Sequence, residues 1–361
     1  MTGPALLWPG AAPDDGDDAT VRPATRADDA ELSARLAAAV DAVDAPDAVF
    51  ALSLGGRRLV RSGGTAPPPA VPREELRYEI GSATKAFTAT LLTELIGHGA
   101  VSGTETAASL LAPGRAGHSS PATLAHLITH TAGLPALPAG FRLRALPAWR
   151  TNPYGRYPAE RVVDAFLRHR TRRRPGTRWH YSNFGVAVLG HALAAATRTP
   201  WEDLVRDRLL RPLGLGDTAL APASDGRDAT GHGKDGRTPV PGFDAGGFQA
   251  AGALRSTPHD LLTFLEAHLR PGEWPLAGAL RATRPPVLRR GLGHRHVHTV
   301  AWFRHPVDGA GMYFHGGATL GQQAFLGFRP DTGTALVAVC TRRFRAKDPF
   351  VATAYGLLAE L

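Results

Sequence analysis

Segments with the pattern of β-strands lie at the two ends of this chain, and a long stretch of helical and loop patterns separates them. Near the N-terminus, two short apolar runs meet at Gly55-Gly56, which is typical of a hairpin turn. In the final third, TVAWF, MYFHG, QQAFLGF and TALVAVC are predicted to be successive strands. We therefore expect an α/β (α+β) protein: a mainly antiparallel sheet, flanked by N- and C-terminal helices, with an inserted all-helical subdomain.

The same patterns divide the 361 residues into four parts. Residues 1–28 are rich in Pro, Gly, Ala and Asp and are predicted to be a flexible N-terminal tail. Residues 29–103 and 250–361 form the two parts of the α/β region, and residues 104–249 form the helical subdomain. Because 43% of the residues are apolar, a chain of this length can bury a sizeable core.

The segment YEIGSATKAFTATLL changes from a strand pattern to a helical pattern at Gly81. This places Ser82 at the start of a helix and Lys85 one turn later on the same face. Of the 41 basic residues in the chain only three are lysines, and a buried lysine, unlike arginine, can lose its proton and act as a base. Ser82 is therefore either an activated nucleophile or an ordinary helix N-cap, and this segment alone does not decide between them.

Two segments further along the chain carry polar groups of the same kind. Tyr181-Ser182-Asn183 comes directly before an apolar helix and is expected on a loop. His315-Gly316-Gly317 lies at a predicted strand end and is followed by Ala318. Each segment alone is a weak signal, but the three occur in one chain in a defined order.

Together the three segments resemble the motif set of the penicillin-recognising serine hydrolases, which is S-x-x-K, then Y-x-N, then a K-T-G-like triplet on an edge strand. The resemblance is closest to class C β-lactamases, D-alanyl-D-alanine carboxypeptidases and family VIII carboxylesterases, whose second motif begins with tyrosine. The segments LITHTAGLP, PLGLGDT and AAGALRSTPHDLLTFL are similar to the same family. The likeness extends from about residue 30 to the C-terminus. It implies a β-lactamase/transpeptidase-like fold with the active site between the sheet and the helical subdomain.

The resemblance also implies roles for individual residues. Ser82 would be the nucleophile that forms an acyl-enzyme, and Lys85 and Tyr181 would share the role of general base, with the division between them left open. The backbone N–H groups of Ser82 and Ala318 would form the oxyanion hole. Asn183 would contact the lysine and an amide of the substrate.

The third motif departs from the family pattern at two positions. His315 stands where a lysine would bind a substrate carboxylate, and Gly316 replaces a hydroxyl residue. Near neutral pH a histidine carries at most part of a charge, so carboxylate recognition is weakened. This favours an esterase or transacylase acting on a small-molecule ester or amide. The alternatives are a β-lactamase or D-alanyl-D-alanine carboxypeptidase/D-aminopeptidase-type enzyme, a non-catalytic ligand-binding protein, and, for His315 itself, a purely structural role.

An aromatic and proline-rich segment, residues 141–162, is predicted to lie at the rim of the pocket. Trp149, Tyr154 and Tyr157 are the candidate substrate contacts within it. An ordinary packed loop is the alternative interpretation for each of the three.

Other classes of function have less support. The net charge of +9 is spread along the chain, and the basic run at 168–178 has no interleaved aromatic residues, so we expect a solvated helix end and no nucleic-acid partner. His294, His296 and His298 alternate but have no neighbouring carboxylate, so we expect neither a metal ion nor another cofactor. His130 lies in the segment LITHTAGLP, which is similar to the family, and His126 directly precedes that segment, so both are predicted to be structural. The single cysteine, Cys340, lies in an apolar alternating run and is also predicted to be structural.

The sequence contains no run of 18 apolar residues, and its first residues lack the basic and apolar regions of a secretory leader. We therefore expect a cytoplasmic protein without a membrane partner. The oligomeric state stays open.

Overall fold

The computed structural model describes residues 28–114, 120–149, 151–170, 173–291 and 296–361. Residues 1–27 of the predicted tail and His294 of the predicted histidine strand lie outside these ranges. The helices are α1 (Asp29–Asp41), α2 (Thr84–Gly97), α3 (Ala107–Leu111), α4 (Leu124–Ile128), α5 (Phe141–Ala145), α6 (Ala159–Arg168), α7 (Asn183–Thr197), α8 (Trp201–Val205), α9 (Gln249–Gly252), α10 (Pro258–Leu269), α11 (Ala277–Ala282) and α12 (Phe350–Glu360).

Within the described ranges, ten strands form two sheets. The strands are β1 (Ala48–Leu54), β2 (Arg57–Gly63), β3 (Tyr78–Glu79), β4 (Arg255–Ser256), β5 (Leu288–Arg290), β6 (His296–His298), β7 (Phe303–Val307), β8 (Ala310–Ala318), β9 (Gln323–Arg329) and β10 (Thr334–Cys340). The large sheet has the order β2-β1-β10-β9-β8-β7-β6-β5, and β3 pairs with β4 separately. Every neighbouring pair runs antiparallel.

The pairing of β1 with β10 joins the two ends of the chain, with Ala48 opposite Cys340. In the described residues between 104 and 249, the chain forms helices and loops and adds no strand to the large sheet. The predicted antiparallel sheet with flanking terminal helices is therefore confirmed.

Both faces of the central strands are buried, because helices cover each side of the sheet. Along β1, Val49 and Ala51 face a core shared with α2, α7 and α10, whereas Ala48, Phe50 and Leu52 face a second core formed with α1 and α12. Burial on both faces explains why these strands are continuous apolar runs in the sequence. Cys340 belongs to the second core, where burial raises the pKa of its thiol, and its predicted structural role is confirmed.

Local signals correctly predicted most element boundaries in the sheet region. Gly55 and Gly56 form the turn between β1 and β2 with positive φ values of 58° and 90°. Pro258 is the first residue of α10, and Gly333 closes the turn between β9 and β10 with a φ of 65°. At these positions proline and glycine carry the smallest penalty in folding free energy.

The predicted strand TVAWF is wrong, since only its last residue, Phe303, belongs to β7. Residues 299–302 form a turn between β6 and β7 instead. The Thr299 amide donates to the Trp302 carbonyl at 2.9 Å, and the Trp302 amide donates to the Thr299 hydroxyl at 2.9 Å. The threonine side chain thus provides a local partner that competes with strand pairing.

Candidate active site

Ser82 lies in a single 3-10 turn, Gly81–Ala83, that leads directly into α2. Its side chain caps neither element, because the N-cap positions belong to Ile80 and Ala83. The alternative that Ser82 is only a helix cap is therefore wrong. Its amide stands in the first turn of a helix, where backbone N–H groups lack helical acceptors and are available to another group.

Lys85 is an ionisable group in direct contact with Ser82. It lies on the first turn of α2 and is only 2% exposed. Its Nζ donates to the Ser82 hydroxyl at 3.1 Å and to the Ala251 carbonyl at 2.7 Å. The same nitrogen lies 5.0 Å from the centre of the Tyr181 ring. An amine at this distance can exchange a proton with the serine hydroxyl, and acyl transfer requires a contact of this kind between a nucleophile and its base.

Tyr181 is held at the entrance to α7 by the residue that follows it. Ser182 is the N-cap of α7, and its hydroxyl accepts from the Gly185 amide at 2.8 Å and donates to the Pro135 carbonyl at 2.6 Å. Serine is among the preferred N-cap residues for this reason. The prediction that all three residues of the motif lie on a loop needs one correction, since Asn183 is already the first residue of α7.

Asn183 faces the same space as Ser82. Its amide nitrogen donates to the Tyr154 hydroxyl at 3.3 Å. Its buried Oδ1 has no hydrogen-bond partner among the described residues. A buried acceptor without a partner costs free energy, so the side chain is able to accept from a bound molecule.

A cavity of about 220 Å³ lies in front of the Ser82 hydroxyl. Its lining combines the serine turn, one end of β8 and an aromatic wall, and comprises Gly81, Ser82, Tyr154, Asn183, Phe243, Phe248, Ala251, Gly252, Ala318, Thr319 and Leu320. Of the predicted substrate contacts, Asn183 and Tyr154 line this cavity. Trp149 does not line it and is 45% exposed, and Tyr157 is buried against Phe141 and Phe248.

The third motif occupies the last residues of β8. This strand is interior to the sheet, so the edge-strand position implied by the resemblance is wrong for β8 as a whole. However, β7 pairs with β8 only as far as Phe314, whereas β9 continues to Ala318. The stretch 315–318 therefore has one edge that is not covered by β7. The edge is uncovered because β7 begins only at Phe303, opposite Phe314, after the turn formed by residues 299–302.

The end of β8 packs closely against the Ser82 turn. A Cβ atom on Gly317 would overlap the Ile80 carbonyl oxygen and lie 2.9 Å from the Ala83 amide nitrogen. A Cβ atom on Gly81, whose φ is +48°, would lie 2.5 Å from the Ala318 carbonyl oxygen. Glycine at both positions brings the backbones of Ser82 and Ala318 to the same cavity.

His315 faces away from the Ser82 cavity. It lines a second cavity of about 20 Å³, roughly the space of one water molecule, together with Lys85, His130, Trp179 and His298. Its Nδ1–H donates to the Gly316 carbonyl at 2.8 Å. Burial, assisted by the nearby charge of Lys85, lowers the pKa of His315 to about 4, so the ring is neutral at physiological pH.

The contribution of His130 and His298 to this cavity is not predicted from the sequence. Both line the small cavity beside Lys85, and burial also lowers the pKa of His298 to about 4. They come from segments far apart in the chain, so no local spacing indicates their proximity. His126, by contrast, completes the capping box of α4, because its Nδ1 accepts from the amide of the N-cap residue Thr123 at 3.2 Å. This agrees with its predicted structural role.

In the part of the chain that the structure describes, no group of three or more His, Cys, Asp or Glu side chains is arranged to hold a metal ion. Within the same residues, no helix combines the length and the apolar character needed to cross a bilayer.

Comparison with known proteins agrees with this geometry. The sequence model described as Beta-lactamase matches residues 32–361. The D-alanyl-D-alanine-carboxypeptidase/endopeptidase AmpH of Escherichia coli (strain K12) is 28% identical over 221 residues, which are 60% of this chain and 55% of AmpH. The chain thus spans about half the length of this relative. Penicillin-binding protein 4 of Amycolatopsis lactamdurans is 28% identical over 313 residues, which are 79% of this chain and 77% of that protein.

Among solved structures, a class C β-lactamase from Rhodobacter sphaeroides has a TM-score of 0.74 at 22% identity, covering 91% of this chain and 98% of the other. A β-lactamase/D-alanine carboxypeptidase from Pseudomonas syringae has a TM-score of 0.73 at 21% identity, and the match covers 91% of this chain and 97% of the chain in that structure. The predicted β-lactamase/transpeptidase-like fold is therefore confirmed.

Proposed function

The chain belongs to the beta-lactamase family of serine hydrolases, and from that premise we propose that it forms an acyl-enzyme on Ser82 and cleaves a small-molecule ester or amide, with a preference for esters. The observation that carries the proposal is the contact between the buried amine of Lys85 and the hydroxyl of Ser82, at 3.1 Å. Transfer of the acyl group to an acceptor other than water follows the same first step.

The proposed reaction begins when Lys85 in its amine form, or Tyr181 beside it, takes the proton of the Ser82 hydroxyl. The serine oxygen attacks the carbonyl carbon, and the negative charge on the carbonyl oxygen is stabilised by the backbone N–H groups of Ser82 and Ala318. The leaving group departs with a proton returned from Tyr181 or Lys85. Water, or another hydroxyl or amine, then gives a proton to the same base and attacks the acyl carbonyl, and the Ser82 oxygen takes that proton back as its bond to the acyl group breaks.

The preference for an ester without a carboxylate rests on the third motif. His315 is buried, its Nδ1–H is bonded to the Gly316 carbonyl, and its pKa of about 4 leaves it neutral. Gly316 supplies no hydroxyl. A substrate carboxylate would therefore lack both a cation and a side-chain hydroxyl at this position. The aromatic wall of the 220 Å³ cavity, formed by Tyr154, Phe243 and Phe248, favours a small apolar acyl group.

The first test is the mass of the intact protein after treatment with a fluorophosphonate. We expect one adduct per chain on the wild type and none on Ser82→Ala, with circular dichroism showing that both are folded. A wild type that takes up no adduct from several serine-directed probes would overturn the proposal in favour of a non-catalytic, ligand-binding protein.

The second test compares substrates. We expect p-nitrophenyl esters with short acyl chains to have a higher kcat/KM than nitrocefin or a peptide that ends in D-Ala-D-Ala. If nitrocefin or the peptide is the better substrate, the preference is wrong and the alternative is a β-lactamase or D-alanyl-D-alanine carboxypeptidase, the activities named for the relatives.

A further inference from the structure

We propose that His130 is a positioning residue that holds Tyr181 beside Lys85. The inference rests on the proposed function, because Tyr181 takes part in chemistry only there. His130 follows α4, is 8% exposed and has a left-handed backbone with a φ of +58°. Few non-glycine residues adopt this conformation, which turns the chain so that one residue presents both its ring and its carbonyl to the segment 179–182.

His130 holds both neighbours of Tyr181. Its carbonyl oxygen accepts from the His180 amide at 2.8 Å, and its ring Nδ1 accepts from the Ser182 amide at 3.2 Å. Two hydrogen bonds from one residue thus fix the backbone on each side of the tyrosine. They leave little freedom for Tyr181 to move along or across this segment.

The ring of His130 also packs directly on Tyr181. The two ring centroids are 4.4 Å apart with an interplanar angle of 41°. Lys85 Nζ lies 5.0 Å from the centre of the same tyrosine ring. Tyr181 therefore contacts both the residue that places it and the amine with which it would share a proton.

The hydrogen bond to Ser182 requires a neutral imidazole. A backbone N–H can only donate, so Nδ1 must be unprotonated and the ring hydrogen must be on Nε2. The surroundings support this form, since burial lowers the pKa of His130 and the positive charge of Lys85 lowers it further. Protonation of Nδ1 would break the bond to Ser182 and add a positive charge close to Lys85.

The test compares two substitutions at His130. His130→Gly tolerates the left-handed backbone but removes the ring. His130→Asn also tolerates this backbone and keeps an acceptor, Oδ1, at the position of Nδ1. For hydrolysis of a p-nitrophenyl ester, we expect kcat of His130→Gly to fall about tenfold to a hundredfold, because small displacements of a catalytic group have effects of this size. We expect KM to change less than about threefold, and His130→Asn to recover most of kcat.

His126→Ala is the matched control. His126 lies four residues earlier, and its Nδ1 accepts from the Thr123 amide at 3.2 Å, the same kind of bond outside the site. We expect its kcat to equal that of the wild type. All assays are run well below the melting temperature, which is measured for each variant. If His130→Gly is unfolded at the assay temperature, all variants are compared at a lower temperature at which circular dichroism shows it folded.

Three results would overturn the inference: wild-type kcat in the variant without the ring, failure of His130→Asn to recover activity, or an equal loss of kcat in His126→Ala. A wild-type protein without turnover or serine adduct overturns the proposed function, and this inference with it. An active wild type with an equally active His130→Gly overturns this inference alone.

Discussion

Lys85 Nζ lies 3.1 Å from the Ser82 hydroxyl, and both residues belong to one continuous helical segment. The contact follows from their spacing, because residues three apart in a helix share a face. The second bond of Lys85, to the Ala251 carbonyl at 2.7 Å, keeps the amine in place from the opposite side. Replacing the amine of Lys85 should therefore reduce the rate of turnover while the protein still folds.

Lys85→Arg tests the role of the amine as a base. Arginine keeps the positive charge but stays protonated, so we expect kcat for p-nitrophenyl ester hydrolysis to fall by about 10²- to 10⁴-fold, the range typical of general-base catalysis. Circular dichroism should show a folded protein. Lys234→Arg is the control, since Lys234 is exposed and should tolerate the same replacement. Near wild-type turnover of Lys85→Arg would refute the role of Lys85 as a base.

The adjacent glycines Gly316 and Gly317 of the third motif should differ in how well they tolerate replacement by alanine. A Cβ atom at Gly317 would overlap the Ile80 carbonyl, whereas one at Gly316 would meet its nearest atom, the Ala324 carbonyl oxygen, at 3.9 Å. We expect Gly317→Ala to push β8 away from the Ser82 turn and to lose most ester turnover, with a lower melting temperature. Gly316→Ala should keep at least half of wild-type kcat. If Gly317→Ala keeps as much kcat as Gly316→Ala, the close approach of β8 to the Ser82 turn is not required for turnover.

The aromatic rim offers a second matched pair. Tyr154 lines the Ser82 cavity and accepts from Asn183, whereas Trp149 is exposed and outside the cavity lining. We expect Tyr154→Ala to raise KM for p-nitrophenyl esters by about tenfold, since it removes cavity wall and leaves Asn183 without an acceptor. Trp149→Ala should leave KM within about twofold. If Trp149→Ala has the larger effect, the substrate binds outside the cavity that we assign.

Much of the fold and part of the site could be predicted because the signals are local. Ser82 and Lys85 share one helical segment, and Ser182 caps the helix that it precedes. Glycine marks the turns at Gly55 and Gly333, and proline marks the start of α10 at Pro258. The resemblance of the three motifs, in their order, to those of a known family then implies which distant segments meet. Each of these inferences needs only neighbouring residues or that resemblance.

The parts that could not be predicted depend on long-range pairing. The ring of His130 bonds Ser182 across 52 positions of sequence, and its left-handed backbone leaves no mark in the residue pattern. The orientation of His315 away from the Ser82 cavity follows from the alternation of side chains along β8, whose register depends on β9. TVAWF was mistaken for a strand because the turn bond between Thr299 and Trp302 uses a side chain that also suits strands.

His268 should make the stability of the protein depend on pH. It is fully buried in α10, its Nδ1–H donates to the Phe264 carbonyl at 2.9 Å, and burial lowers its pKa to about 3. In the unfolded chain the histidine pKa is about 6.5. Between these values the unfolded state binds a proton that the native state does not, so the free energy of unfolding falls as the pH decreases from 6.5 toward 3. Each pH unit within this window costs about 1.4 kcal/mol.

His268→Leu removes this titration, so we expect the slope of unfolding free energy against pH to decrease by about 1.4 kcal/mol per unit between pH 6 and 4.5. Urea unfolding at several pH values measures the slope, which is independent of any constant change in stability caused by leucine. His259→Gln is the control, because His259 lies in the same helix with a side chain that is 73% exposed, and its slope should equal that of the wild type. An unchanged slope in His268→Leu would mean that His268 takes up a proton in the native state, and that the interior around Phe264 and Trp302 admits a charge.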